Sequence, residues 1–180
     1  MTKETVAIRD AAETDIPAIR AIYAHHVLHG LASFEEAPPD EAEMRRRFRA
    51  LKEGGFPYLV AELGGELVGY SYAGQYRPRP AYRYSVEDSV YVRDGLAGKG
   101  VGRALLSALL ARCTEAGFRQ MIAIIGDSAN HGSIGLHKAL GFETAGTIRS
   151  VGFKHGRWVD SVLLQCALGE GDKTLPPARP

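Results

Sequence analysis

The chain has 180 residues, 45% of them apolar and 24% charged, which fits one globular domain whose core needs no disulfide or metal staple. Lys and Arg number 22 against 21 Asp and Glu, so no whole-surface field favours nucleic acid or an anionic membrane. The two cysteines, Cys113 and Cys166, make no zinc-like spacing, no apolar run reaches the ~18 residues of a membrane span, and residues 1–10 carry charge where a signal peptide is apolar; a cytoplasmic protein with reduced thiols and no bound metal is expected.

In chain order, Val6 and Ile8 begin a short strand. Thr14 or Asp15 then caps a helix with Pro17 in its first turn and Ile16, Ile19, Ala21, Ile22 and Tyr23 as its buried stripe. Glu41 to Lys52 has Met44, Phe48 and Leu51 on one helical face, bounded by Pro38-Pro39 and Gly54-Gly55. Tyr58 to Leu63 and Glu66 to Tyr72 read as a hairpin turned by Gly64-Gly65. Ser85 to Arg93 is a strand, followed by a glycine-rich turn and a helix from Val101 to Ala116. Met121 to Ile125 is continuous and apolar, as in a strand covered on both faces. Ser133 to Leu140 is a helix closed by Gly141. Phe142 to Ile148 and Trp158 to Leu168 are the last strands. Residues 1–168 form one domain in this reading, and 169–180, with Pro176-Pro177, form a disordered tail.

The segment Val90-Tyr91-Val92-Arg93-Asp94-Gly95-Leu96-Ala97-Gly98-Lys99-Gly100-Val101-Gly102-Arg103 carries the strongest chemical signal. A strand ends, glycines alternate and a helix begins, so unobstructed amide N–H groups converge at a positive helix terminus suited to a phosphate or pyrophosphate. A dinucleotide fingerprint needs glycine at the sixth place, where Arg103 or Leu105 stands. A nucleoside-triphosphate loop needs Ser or Thr after its lysine, where Gly100 follows Lys99.

This loop resembles the acyl-coenzyme A loop of the GNAT N-acetyltransferase superfamily, with Ala97 in place of that motif's leading glutamine or arginine. Within the superfamily, the runs 86–92 (Val86 to Val92), 137–141 (His137 to Gly141) and 152–158 (Gly152 to Trp158) are similar to the phosphinothricin and methionine sulfoximine or sulfone N-acetyltransferases. The resemblance spans Val6 to Leu168. It implies an α/β GNAT fold, with a mixed, mostly antiparallel central sheet flanked by helices, and acetyl-CoA as cosubstrate. It places that cosubstrate along Val90, Tyr91 and Val92, the loop Ala97, Gly98, Lys99, Gly100, Val101, Gly102 and Arg103, and Asn130 and Ser133 of the later motif. His137 stands where that motif has a tyrosine facing the thiol sulfur. The relatives are homodimers, so a homodimer is implied.

Acetyl transfer from a thioester to an amine needs a neutral amine, a polarised carbonyl and a proton for the departing thiolate. Alternation puts Glu87, Ser89 and Tyr91 on one face of their strand and Val86, Val90 and Val92 on the other. Glu87 is the candidate base, against the alternative of an ordinary strand carboxylate. His137, whose imidazole titrates near neutral pH, is the candidate acid toward sulfur, directly or through water, against a packed helix histidine. Tyr76, Arg77, Arg79 and Tyr82 set two guanidinium groups between prolines and beside aromatic rings. That arrangement suits a small anionic or oxygen-rich group, the alternative being a solvated basic loop. In the relatives, basic residues at the places of Arg77 and Arg79 serve the substrate's phosphinate, sulfoximine or carboxylate. Phe34 lines the pocket or belongs to the core. His25, His26 and His29 read as a helix end, and neither cysteine is placed to carry an acyl group.

The expected activity is acetyl-CoA-dependent acetylation of the α-amino group of a small amino acid analogue, by direct transfer in a ternary complex. The alternatives are another small amine or a protein N-terminus as acceptor, and a noncatalytic acyl-CoA sensor.

Overall fold

Alternating apolar residues in seven segments build a sheet whose two faces bury different side chains, and the computed structural model describes residues 5–178. The elements are β1 (Ala7–Asp10), α1 (Ile16–His29), α2 (Glu41–Glu53), β2 (Tyr58–Leu63), β3 (Glu66–Gln75), β4 (Ser85–Val92), α3 (Val101–Glu115), β5 (Gln120–Gly126), α4 (His131–Ala139), β6 (Glu143–Lys154) and β7 (Arg157–Ala167). The sheet order is β1-β2-β3-β4-β5-β7-β6. Every neighbouring pair is antiparallel except β4 and β5.

Period-2 alternation sorts the core. Leu59, Ala61, Val86 and Val90 face the side covered by Leu105, Leu106 and Leu109 of α3. Tyr58, Val60 and Tyr70 face Ile16, Ile19 and Val27 of α1 and Met44 and Phe48 of α2. Gly64 and Gly65, with φ of 60° and 83°, give the β2–β3 turn the left-handed backbone that a two-residue hairpin requires.

Two differences from the sequence reading have local causes. Asp15 precedes α1, but its carboxylate accepts the Ala12 N–H at 2.8 Å and two Arg9 N–H groups at 2.7 and 2.8 Å instead of capping the helix. β6 runs on to Lys154 rather than ending at Ile148. Its register shifts between Ile148 and Gly152, where Ser150 adopts φ 52° and donates its N–H to Asp160, and pairing then resumes. Such a bulge hides a strand from a strict period-2 reading. Residues 169–178 make side-chain contacts with the body of the domain. Arg119 donates to the Gly171 and Leu175 carbonyls at 3.0 Å each, and the Tyr84 hydroxyl to the Pro177 carbonyl at 2.7 Å. Arg179 and Pro180, the end of that expected tail, lie outside the described residues.

Candidate active site

The single parallel junction creates the cleft. β4 and β5 pair only over Ser85–Glu87 against Gln120–Ile122. Beyond Glu87 they part, and a cleft of about 300 Å³ opens between them. Asp88, Ser89, Val90 and Tyr91 form its β4 wall and Ala123 to Gly126 its β5 wall. Asn130, Ser133 and His137 close it from α4, and Phe34 stands at the opposite side. Two strand edges that stop pairing leave backbone groups facing the gap.

Glu87 is half-buried on the cleft wall. Burial pushes its carboxyl above the usual range, Arg77 opposes that shift and Asp88 adds to it. A carboxylate held in this way is a stronger base than a solvated one. Arg77 is near enough for its charge to act on Glu87, because Gly74 of β3 stands opposite Glu87 in register and the chain leaves β3 beside it.

The remainder of the Arg/aromatic segment lies elsewhere. Tyr76, Arg77, Arg79 and Tyr82 are absent from the cleft lining. Arg77 and Arg79 are exposed, Arg77 stacks over the Tyr76 ring at 4.5 Å, and Tyr76 meets Tyr82 edge-on. These four substrate-binding candidates lie together on a shelf beside Glu87 and outside the cleft lining. Two prolines and a short helical turn at Pro80–Tyr82 carry the backbone outward there.

His137 is 3% exposed. Its Nδ1–H donates to the Ser133 carbonyl at 2.7 Å and its Nε2–H to Asp88 Oδ2 at 2.9 Å. Both ring nitrogens are thus engaged inside the protein. Burial lowers its pKa, but the Asp88 carboxylate and the Ser133 carbonyl together raise it above its ordinary value. Direct donation to a sulfur in the cleft, one form of the sequence expectation, therefore has no free N–H behind it. Alternation places Asp88 on the same face of β4 as Val86 and Val90, and no local pattern pairs it with His137. The available signal was a carboxylate on the α4 side of β4 with an otherwise unpartnered histidine on α4. The other carboxylate oxygen of Asp88 is buried with no hydrogen-bond partner among the described residues.

The glycine loop has the backbone its sequence requires. Gly98 and Gly100 have φ of 76° and 84°, and a Cβ added at either would meet nothing within 4 Å. The first intrahelical bond of α3 runs from Ala104 N–H to Gly100 O at 3.0 Å, so the amides of Val101, Gly102 and Arg103 point out of the helix start. Gly102 packs against α4, where a Cβ would lie 3.2 Å from the Leu136 side chain. Lys99 and Arg103 are exposed beside the cradle, as is Ala97. Open space where side chains would stand, with amides and two cations around it, fits a pyrophosphate. At the start of α4 the Asn130 side chain caps the helix by accepting Ser133 N–H at 3.2 Å, leaving its amide group available.

Residues 8–163 match the family model of the GNAT acetyltransferase domain. The chain belongs to the GNAT acetyltransferase family. This GNAT protein is 57% identical to a phosphinothricin N-acetyltransferase of Alcaligenes faecalis, over 94% of this chain and 86% of that one. It is 44% identical to an L-methionine sulfoximine/L-methionine sulfone acetyltransferase of Pseudomonas aeruginosa, over 91% and 95%. A crystal structure of a GNAT superfamily phosphinothricin acetyltransferase from Sinorhizobium meliloti, in complex with AcCoA, superposes with a TM-score of 0.93 at 50% identity and covers 96% of this chain and 94% of its own. The GNAT chain is thus an N-acetyltransferase, and its seven-stranded mixed sheet is the fold of that family.

Proposed function

We propose that the protein transfers the acetyl group of acetyl-CoA to the α-amino group of a small amino acid analogue of the phosphinothricin or methionine sulfoximine type. Transfer is direct, within a ternary complex. The observation that carries this reading is the cleft where β4 leaves β5. It has a half-buried Glu87 on its wall and runs along Val90 and Tyr91 toward the glycine cradle at the start of α3. The names of the relatives support the substrate class.

Gly98, Gly100, Val101, Gly102 and Arg103 would hold the pyrophosphate through their amides, with Lys99 and the Arg103 guanidinium adding charge. Bound acetyl-CoA supplies the thioester: the amine nitrogen bonds to the acetyl carbon as the carbon–sulfur bond breaks, and the thiolate takes a proton. Glu87 takes a proton from the ammonium group, directly or through one water, so that a neutral amine attacks. Arg77 sits at the mouth beside Glu87, where it meets the anionic or oxygen-rich end of the acceptor. His137, fixed by Asp88 and Ser133, closes the cleft from α4, its raised pKa favours positive charge near the departing thiolate, and the thiolate takes its proton from water. Neither cysteine serves as an acyl carrier: Cys113 is buried in α3, and burial pushes the Cys166 thiol up, away from the reactive thiolate.

A homodimer in the cytoplasm completes the proposal. Its support is the exposed apolar face of β6 and β7, where Ile148, Val151, Phe153 and Trp158 are 51 to 65% exposed. Mass spectrometry of reactions containing acetyl-CoA and a panel of free amino acid analogues, small amines and a peptide N-terminus tests the substrate class. N-acetylated phosphinothricin, methionine sulfoximine or methionine sulfone is the expected product. Acetylation of the peptide alone would contradict the substrate class, and cofactor binding with no product would indicate a sensor.

A further inference from the structure

Lys154 belongs to the motif from Gly152 to Trp158 but does not line the cleft. It is 3% exposed, and its Nζ donates to the Ser33 carbonyl at 2.7 Å, across 121 residues of chain. A buried ammonium is costly unless it is paired: burial pushes the Lys154 pKa below its ordinary value, and Glu36 and Glu35 oppose that shift. Ser33 is itself a junction. Its hydroxyl is bonded to the Tyr23 hydroxyl at 2.9 Å and accepts the Glu35 N–H at 3.2 Å, while Arg47 of α2 holds the Glu35 carboxylate at 2.6 Å. Phe34 lies between these anchors.

The sheet has a groove for that ring. A Cβ at Gly152 would stand 2.5 Å from the Phe34 ring and one at Gly126 3.0 Å from it, and a Cβ at Gly126 would also collide with the Leu31 carbonyl. Gly126 ends β5 opposite Ser161 of β7, and Gly152 lies on β6 opposite Val159 of β7. The loop therefore crosses the ends of β5, β7 and β6, and the Phe34 ring remains 41% exposed toward the cleft that it lines.

We propose that Lys154 is a positioning residue for the acceptor site: by holding the Ser33 carbonyl it seats residues 31–36 as a strap in the groove at Gly126 and Gly152, and so fixes Phe34 as the wall met by the acceptor's side chain. This rests on the reading of the cleft as the acetyl-transfer site. A ring held in one place limits the acceptor's side chain, which suits a small amino acid analogue. A loose ring leaves that side chain unpositioned and its amine misaligned with Glu87.

The test compares wild type, Lys154→Met, Phe34→Ala and the double variant by amide hydrogen exchange across residues 31–36, by KM for the amine acceptor and by calorimetric Kd for acetyl-CoA. Lys154→Met is expected to speed exchange in the strap and to raise the acceptor KM on the order of ten- to a hundredfold, with the acetyl-CoA Kd unchanged. In a Phe34→Ala background, Lys154→Met should add little, because both changes act through one ring. Unchanged exchange, an unchanged KM in an active protein, or fully additive effects would each overturn the proposal. An equal loss of acetyl-CoA affinity would reveal general destabilisation and overturn it too. A wild-type protein that acetylates no amine overturns the site reading itself, which separates the two failures.

Discussion

Asp88 and His137 make the most consequential contact in the cleft, because two buried groups hold each other's charge. His137 has a raised pKa in the folded protein, so its stabilising contribution is complete below the ordinary value of 6.5 and is lost as pH rises through the raised one. Asp88→Asn should therefore cost about 3–5 kcal/mol of unfolding free energy at mildly acid pH, with the cost shrinking above the His137 pKa. Urea unfolding across pH checks this, and a loss independent of pH would contradict it. Arg77 offers a second residue-scale prediction with a definite sign. Its charge lowers the Glu87 pKa against burial and Asp88, so Arg77→Ala should move the acid limb of the pH–rate profile to higher pH and raise the acceptor KM. A limb that stays in place would mean that Arg77 does not influence the base. Glu87 and His137 were legible singly in the sequence, through strand alternation and the helix motif. The bond between His137 and Asp88 was not, since it joins residues 49 positions apart, and only the placement of α4 against β4 brings them together.

The turn from β4 into α3 shows how much a local pattern can fix by itself. Alternating glycines predict unobstructed amides before α3, and Gly95, Gly98 and Gly100 all have φ between 76° and 84°. A side chain at Gly100 is strained at that φ, at roughly 1–2 kcal/mol, although no neighbour obstructs its Cβ. Gly100→Val should thus lower the melting temperature by a few degrees, about 2–8 °C by the usual entropy scaling, and weaken acetyl-CoA binding far more. Calorimetry showing unchanged affinity would contradict the cradle. The β2–β3 hairpin was equally legible, because two glycines and flanking alternation are short-range signals. The second half of β6 was not, since the bulge at Ser150 that precedes it depends on Asp160 in the next strand. The strap over residues 31–36 was also hidden. Its anchors are Lys154, Gly126 and Gly152, and a sequence shows a solitary lysine and two glycines without showing that one phenylalanine ring unites them.

At the scale of the whole molecule, one sheet with a single parallel junction performs two tasks: it buries a core on each face, and it opens only where β4 and β5 part. The edge formed by β6 carries exposed Phe153, packed edge-on against Trp158 of β7. An apolar cluster of that kind marks an interaction surface. Light scattering should show a dimer for the wild type and a monomer for Trp158→Glu, and a monomeric wild type would contradict the dimer proposal. The central claim is that the cleft transfers an acetyl group to an amine that Glu87 deprotonates. Amine-dependent thiol release from acetyl-CoA, followed for wild type and Glu87→Gln side by side from about pH 6 to 9, tests it most directly. The variant should bind acetyl-CoA normally and turn over about 10²–10⁴-fold more slowly near neutral pH, recovering part of the loss at high pH where more amine is neutral unaided. Full activity of Glu87→Gln across that range would contradict the claim.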